Sequence, residues 1–336
     1  MRTATMNAMI FEGAGRPLAL KRVPIPVPGD DQVLIKVIAC GICRTDLHVL
    51  DGDLTKPKIP LIPGHEIIGT VISTGTKVRD IKENDLIGVP WLGYTCGRCK
   101  YCRQDKENLC ENAKFTGYTL DGGYAQYTTA FSKYCFKLSG QYHNAASAPL
   151  LCAGLIGFRS YNMINQKATN IGMYGFGAAA HILIQIARAQ KKKVFAFTKD
   201  SDSKSQSFAR ELGAYWVGGV SDAPPEKLEA AIIFAPAGEL IPKALKDLDK
   251  GGQVICGGIH MSQIPAFSYD LLWEERVVRS VANLTREDGL NFFDLLQSIT
   301  VHTQTEQFPL SQANEAISKL RRGEIKGAAV LVMDQA

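Results

Sequence analysis

The chain has no apolar run near the roughly 18 residues that span a bilayer. Its opening stretch, MRTATMNAMIFEGAGRPL, has no export-type apolar segment either. A membrane span and a secretory signal are therefore not expected, and the expected location is cytoplasmic. There is no long basic stripe with interleaved aromatics, the mark of a nucleic-acid surface. The densest charge run, Lys191-Lys192-Lys193, is short and reads as a solvated helix end. No stretch is biased enough in composition to suggest disorder, and no internal repeat is visible. What remains is a globular composition. With 336 residues and 46% hydrophobic content, the chain is long enough for two domains, each with its own core.

Nine cysteines are present. In a reducing cytosol stable disulfides are rare, so metal binding or catalysis is the expected use of these thiols. Their surroundings differ along the chain. The first half reads as β-rich and irregular: short runs such as QVLIKVIACGIC (32–43) and IIGTVISTGTKV (67–78) are broken by Gly, Pro and Asp. From about residue 168 the texture changes. TNIGMYGFG reads as a strand entering a glycine turn, AAAHILIQIARAQ as an amphipathic helix, and KKVFAFT as a second buried strand. SKSQSFAREL follows as a helix stopped by Gly213, then AAIIFAP and GGQVICGGI as further strands. Strands alternating with helices predict a parallel, doubly wound sheet. Beyond residue 285, GLNFFDLLQSI and SQANEAISKLRRG read as helices, the latter ended by Gly323, and AAVLVM as a last strand.

Three groups of residues carry chemistry. The turn Gly175-Phe176-Gly177-Ala178-Ala179-Ala180 fits G-x-G-x-x-G/A directly after a strand and opens a helix. Gly175 permits the tight turn, Gly177 lets backbone approach a pyrophosphate, and Ala178 and Ala180 begin the helix whose N-terminus would carry it. In this βαβ setting the turn points to a dinucleotide. The second group is Cys43, His65 and Cys152, in CGICRTDLH, PGHEIIG and LLCAG. These residue types would make a Cys₂His zinc site with an open fourth position, and Asp46 is of the type that takes the free N–H of a histidine ligand. A single buried cysteine is ordinarily an inert small hydrophobe, however, and spacing alone does not bring 43, 65 and 152 together. Cys40-x-x-Cys43 has the spacing of a redox pair but lacks a thioredoxin-like helix start.

The third group is CGRCKYCRQDKENLC (96–110), with Cys96, Cys99, Cys102 and Cys110 in fifteen positions. A bacterial iron–sulfur run has three residues before the fourth cysteine and a proline after it. Here there are seven, followed by Glu111. Four thiolates without histidine predict a closed, structural zinc site.

At these residues the chain resembles the zinc-dependent alcohol dehydrogenases of the medium-chain dehydrogenase/reductase superfamily. The likeness runs from VLIKVIACGICRTDLH to GEIKGAAVLV and includes PGHEIIGTV, the four-cysteine lobe, GYTLDGGYAQY and CAG in order. It implies an α/β protein: a GroES-like, β-rich catalytic domain over 1–152, completed by 285–336, and a Rossmann domain over 153–284. The zinc lobe would occupy about 91–112. By this resemblance Cys43, His65 and Cys152 ligate a catalytic zinc, with Glu66 as an exchangeable ligand and Asp46 behind His65. Thr45 would hydrogen-bond the substrate alcohol, His48 would end a proton relay running through the cofactor ribose, and Arg44 would meet the pyrophosphate. Trp91 would form an aromatic wall of the substrate pocket. The polyol branch of the superfamily usually replaces the third ligand with a carboxylate, so Cys152 favours the alcohol branch.

The implied activity is interconversion of alcohols and aldehydes or ketones by hydride transfer with a nicotinamide cofactor. The implied metal content is two zinc ions per chain. A zinc-free quinone or enoyl reductase would lack the ligand set, and a non-catalytic NADPH-binding relative would not need Thr45 and His48. The chain lacks the longer lobe insertion of dimeric animal and plant enzymes, which suggests a homotetramer acting on small molecules.

Two departures stand out. NAD enzymes place an acid about 20 residues past the glycine turn. Here Thr198 and Lys199 occupy that region and Asp200 comes only afterwards. A hydroxyl with a cation suits a 2′-phosphate, so NADP(H) is expected over NAD(H), unless Asp200 swings in. This pattern also resembles the cinnamyl-alcohol dehydrogenase branch. VANLTRED (281–288) aligns poorly with the family's cofactor-clamping arginine segment, so Arg286 is not assigned that role.

Overall fold

A computed structural model describes residues 4–259 and 261–333. The chain forms two compact units: one comprises residues up to Cys152, Asn283–Gln297 and the chain from His302, the other Ala153–Ala282 with Ser298–Val301. No helix among the described residues is long and apolar enough to cross a membrane.

The first unit opens with a hairpin of β1 (Thr5–Ile10) and β2 (Ala19–Pro24). Next comes β3 (Gln32–Ile42), whose alternate residues Val33, Ile35 and Val37 are buried while Lys36 faces outward, as period-two patterning requires. Helix α1 (Arg44–Asp51) follows directly, then β4 (Glu66–Thr74), β5 (Leu86–Val89) and β6 (Leu92–Tyr94). After the cysteine lobe come β7 (Lys114–Phe115), β8 (Tyr127–Phe131) and β9 (Phe136–Lys137).

The second unit begins with α2 (Ala153–Asn162) and runs through β10 (Asn170–Tyr174), α3 (Ala178–Ala189), β11 (Lys193–Thr198), α4 (Ser203–Glu211) and β12 (Trp216–Gly219). It continues with β13 (Leu228–Ile233), α5 (Leu240–Asp247), β14 (Leu248–Cys256) and β15 (Val277–Ser280). Its six strands are all parallel, in the order β12-β11-β10-β13-β14-β15, the doubly wound arrangement. The strand order reverses at β10, where the glycine turn leaves the sheet. Buried on both faces, β10 and β11 stack Tyr174 on Phe197 with ring centroids 4.1 Å apart. Lys193 belongs to β11 rather than to a solvated helix end: it lies in the strand and pairs with Glu226 at 2.9 Å.

The chain then returns to the first unit as α6 (Arg286–Leu295), β16 (Thr305–Pro309), α7 (Ala313–Arg322) and β17 (Ala328–Val332). Helix α6 starts earlier than its apolar pattern suggests, because Thr285 and Asp288 form a reciprocal cap. Helix α7 ends at Gly323, which takes φ +71°. Strand β17 pairs antiparallel with β3, so both ends of the chain build one seven-stranded sheet, β16-β17-β3-β4-β5-β9 with β8 also on β3.

Candidate active site and metal centres

Cys43 is both the last residue before α1 and its cap. Its sulfur accepts from Thr45 N at 3.2 Å, and its own N–H donates to Asp46 Oδ2 at 2.9 Å. A helix N-terminus favours negative charge, so the position supports a thiolate. His65 precedes β4, and its Nε2 lies 3.1 Å from Cys43 Sγ. Cys152, at the end of the 3₁₀ turn Ala145–Leu151, brings its sulfur to 4.0 Å from that of Cys43. Ligand atoms of Cys43, His65, Glu66 and Cys152 all lie within 4.8 Å of one another. A tetrahedron of sulfurs about 2.3 Å from zinc has an edge of roughly 3.8 Å.

Behind these groups, Asp46 Oδ1 lies 3.2 Å from His65 Nδ1, both side chains being fully buried. Asp46 thus ties the helix cap to the imidazole. The register of β3 and β4 sets Gly41 opposite Glu66, and a β-carbon at 41 would lie 1.8 Å from Glu66 Oε2. The carboxylate therefore occupies space that only glycine leaves, and buried Oε2 meets no close hydrogen-bond partner among the described residues. The acid–base balance points the same way. Burial pushes up the Glu66 and Asp46 carboxyls. Burial opposes ionisation of Cys43 too, yet the hydrogen bond from Cys152 and the charge on His65 hold its thiol well below the usual range. Cys152, donating to that thiolate, lies well above it. His65 is raised by Cys43 and Asp46 in spite of its burial. A buried cluster of sulfur, imidazole and carboxylate that must borrow a proton to balance its charge fits a divalent cation such as zinc.

The relay candidates share helix α1. Thr45 and His48 are three residues apart and so lie on one face of the helix, Thr45 buried and His48 partly exposed. His48 Nδ1 meets Asp53 Oδ2 at 2.7 Å. Asp53 was not singled out in the sequence; the only signal is an acid just past the glycine that stops the helix. Arg44 is exposed at the first turn of α1. Trp91 packs edge-on to His65, with centroids 4.9 Å apart, and stacks with Phe115 and Tyr118 at 5.3 and 5.8 Å. Trp91 is thus one of three packed rings, and Phe115 and Tyr118 both come from FTGYTLDGGY.

The lobe gathers Cys96, Cys99, Cys102 and Cys110, whose sulfurs again lie within 4.8 Å. Cys99 and Cys102 are 3.5 Å apart, as are Cys96 and Cys110, far beyond the 2.05 Å of a disulfide but close to a zinc tetrahedron edge. Backbone N–H groups of Arg98 and Cys99 bring the Cys96 thiol down to about 6, while burial pushes Cys110 up to about 11. Arg286 belongs to this region. Its N–H donates to Glu107 Oε1 at 2.9 Å, and its guanidinium lies over Tyr134.

In the second unit, Gly175 takes φ +91° and a side chain there would strike Ala235. Among the described residues, nothing lies within 4 Å of where a β-carbon on Gly177 would be and no side chain caps α3. The open N-terminus fits a phosphate. Ala178 starts that helix and Ala180 is fully buried in it. Thr198 is buried and donates to the Lys199 carbonyl, while Lys199 is exposed and makes no ion pair among the described residues.

Residues 29–140 match the alcohol dehydrogenase GroES-like domain. "Probable alcohol dehydrogenase AdhA" of Mycobacterium tuberculosis is 41% identical over 342 residues, covering 98% of each chain. An alcohol dehydrogenase of Geobacillus stearothermophilus is 32% identical over 348 residues, covering 98% of this chain and all of that one. Among solved structures, acetophenone reductase from Geotrichum candidum in complex with NAD superposes with a TM-score of 0.85 at 31% identity, covering 98% of this chain and 97% of that one.

Proposed function

The chain belongs to the zinc-dependent alcohol dehydrogenases of the medium-chain dehydrogenase/reductase superfamily, and on that premise we propose how its residues interconvert alcohols with aldehydes or ketones. Cys43, His65 and Cys152 would hold the catalytic zinc, with Glu66 as an exchangeable fourth ligand. The observation that carries this is the convergence of those four ligand groups within 4.8 Å of one another, His65 and Glu66 buried and Cys43 and Cys152 half-buried. When bound, zinc supplies Lewis acidity toward the substrate oxygen, and the nicotinamide supplies the carbon that exchanges hydride.

The chain's own groups do the rest. Asp46 fixes the orientation of His65 from behind, as a carboxylate behind a ligating imidazole does. The Thr45 hydroxyl accepts the substrate's O–H hydrogen bond. His48, one turn further along α1, exchanges the proton with solvent, and Asp53 holds its Nδ1. Trp91, Phe115 and Tyr118 offer an apolar face that suits a substrate carrying a hydrocarbon or aromatic group. Cys96, Cys99, Cys102 and Cys110 would hold a second, structural zinc.

Gly175, Gly177 and the N-terminus of α3 would receive the dinucleotide pyrophosphate. NADP(H) is favoured over NAD(H), because Lys199 directly follows β11, is exposed and makes no ion pair among the described residues. Six of the nine cysteines fall in the two metal groups and none pairs as a disulfide among the described residues, which suits a reducing cytosol. The four residues of edge strand β15 are all exposed, and Trp273 and Tyr269 just before it are 61% and 64% exposed. An open edge with apolar neighbours is ordinarily covered, which supports a homo-oligomer, and a tetramer is the favoured form.

Metal removal tests the reading. Dialysis against a strong chelator should abolish NADPH-dependent reduction of aryl aldehydes and ketones, and zinc should restore it. Full turnover by metal-free protein would overturn the assignment.

A further inference from the structure

Strands β11 and β12 run parallel and end side by side, with Thr198 opposite Gly219. Three carboxylates lie just beyond these ends, and the protein holds each of them. Asp202 caps α4 by accepting from Ser205 N at 3.0 Å. Asp222 closes the turn after β12 by accepting from Gly219 N at 2.7 Å. Asp200 is taken from across the strand boundary: the Ser221 hydroxyl donates to Oδ2, and the Ser221 N–H donates to Oδ1 at 3.3 Å. The seat is also shaped for it. A β-carbon on Gly219 would lie 2.0 Å from Asp200 Oδ1. Val220 N donates to Thr198 O at 2.8 Å and keeps the turn against the end of β11. Lys199, next to Asp200, is exposed and makes no ion pair among the described residues.

An acid beyond the second strand of such a sheet ordinarily accepts from the ribose 2′-OH, which selects NAD over NADP. Asp200 is the acid closest to that position, and the turn after β12 holds it. We propose that Gly219 and Ser221 form a latch that withholds Asp200 from the ribose, so that Ser221 helps set dinucleotide preference. This rests on the NADP(H) reading above. With Asp200 latched, a 2′-phosphate meets the Lys199 cation while both Asp200 oxygens are engaged by Ser221. Released, Asp200 would repel that phosphate and accept from a 2′-hydroxyl instead. The Ser221 hydrogen bonds hold the Asp200 carboxyl below its usual range, so the latched group stays ionised.

Fluorescence titration of the full-length zinc-loaded protein with NADPH and with NADH provides the test, and it requires no turnover. The wild type is expected to bind NADPH more tightly. Ser221→Ala should shift the ratio of dissociation constants toward NADH by about tenfold, the scale of one charge-assisted hydrogen bond. Adding Asp200→Asn to Ser221→Ala should return the ratio to NADPH, because the carboxylate rather than the hydroxyl acts on the ligand. A purely structural role for Ser221 would weaken both dinucleotides alike. An unchanged ratio in Ser221→Ala would sink the latch and leave the NADPH preference standing. A wild type that prefers NADH would overturn that preference, and the latch with it.

Discussion

Two groups of sulfur ligands lie in the same structural unit, and the chain gathers them in opposite ways. The lobe collects its four within fifteen positions, through short turns at Cys102–Gln104 and Glu107–Leu109, and leaves three of its cysteines partly exposed. Backbone N–H groups from the same few residues lower the Cys96 thiol. The buried group draws on α1, the start of β4 and the 3₁₀ turn before Cys152, with Cys43 and Cys152 separated by 109 positions. His65 and Asp46 there are wholly buried and Glu66 nearly so. A site closed by local turns organises its own loop, so its metal should act mainly on stability. A site assembled by distant elements rests on a sheet held by its own strand pairing, so its metal should act mainly on chemistry.

The sharpest way to break that contrast is His65→Ala. It should lower kcat/KM by at least about 10³-fold, roughly 4 kcal/mol of transition-state stabilisation. Zinc content should fall from two per chain to one, with a small change in melting temperature. Turnover at the wild-type level would remove the catalytic role of this cluster. Cys99→Ser should do the converse. One zinc is lost and the melting temperature drops, corresponding to a few kcal/mol, while turnover at 25 °C persists. An unchanged melting temperature with both metals retained would mean the lobe is not a metal site.

Glu107→Gln is the finest probe. The Glu107 carboxylate accepts the Arg286 N–H, Arg286 covers Tyr134, and the Tyr134 hydroxyl meets Thr95 beside Cys96. Weakening this clasp should cost about 1 kcal/mol in denaturant unfolding and leave both zinc ions and turnover in place. A loss of turnover would reveal coupling between the two clusters that their separate construction does not contain.

The same division decides what could be read in advance. The lobe was legible because a few residues between cysteines permit few closures, and the donor set itself names the metal. The glycine turn, the alternation of strand and helix after residue 168 and the stop at Gly323 were legible for similar reasons, since each depends on a handful of adjacent dihedrals. Four other features were not legible. Glu66 facing Gly41 depends on the β3–β4 register, where a slip of one residue would turn every side chain to the other face. The stacking of Phe115 and Tyr118 on Trp91 joins segments that no periodicity links. Arg286 reaches Glu107 across 179 positions, and Asp200 is held by Ser221 from the turn after the neighbouring strand. The sequence by itself determined the local turns, the donor types and the alternation of elements, because short-range sterics and ligand chemistry act on neighbours along the chain. Only the tertiary structure decided which donors meet and which carboxylates are already spoken for, because sheet register and buried packing couple residues that the chain keeps far apart.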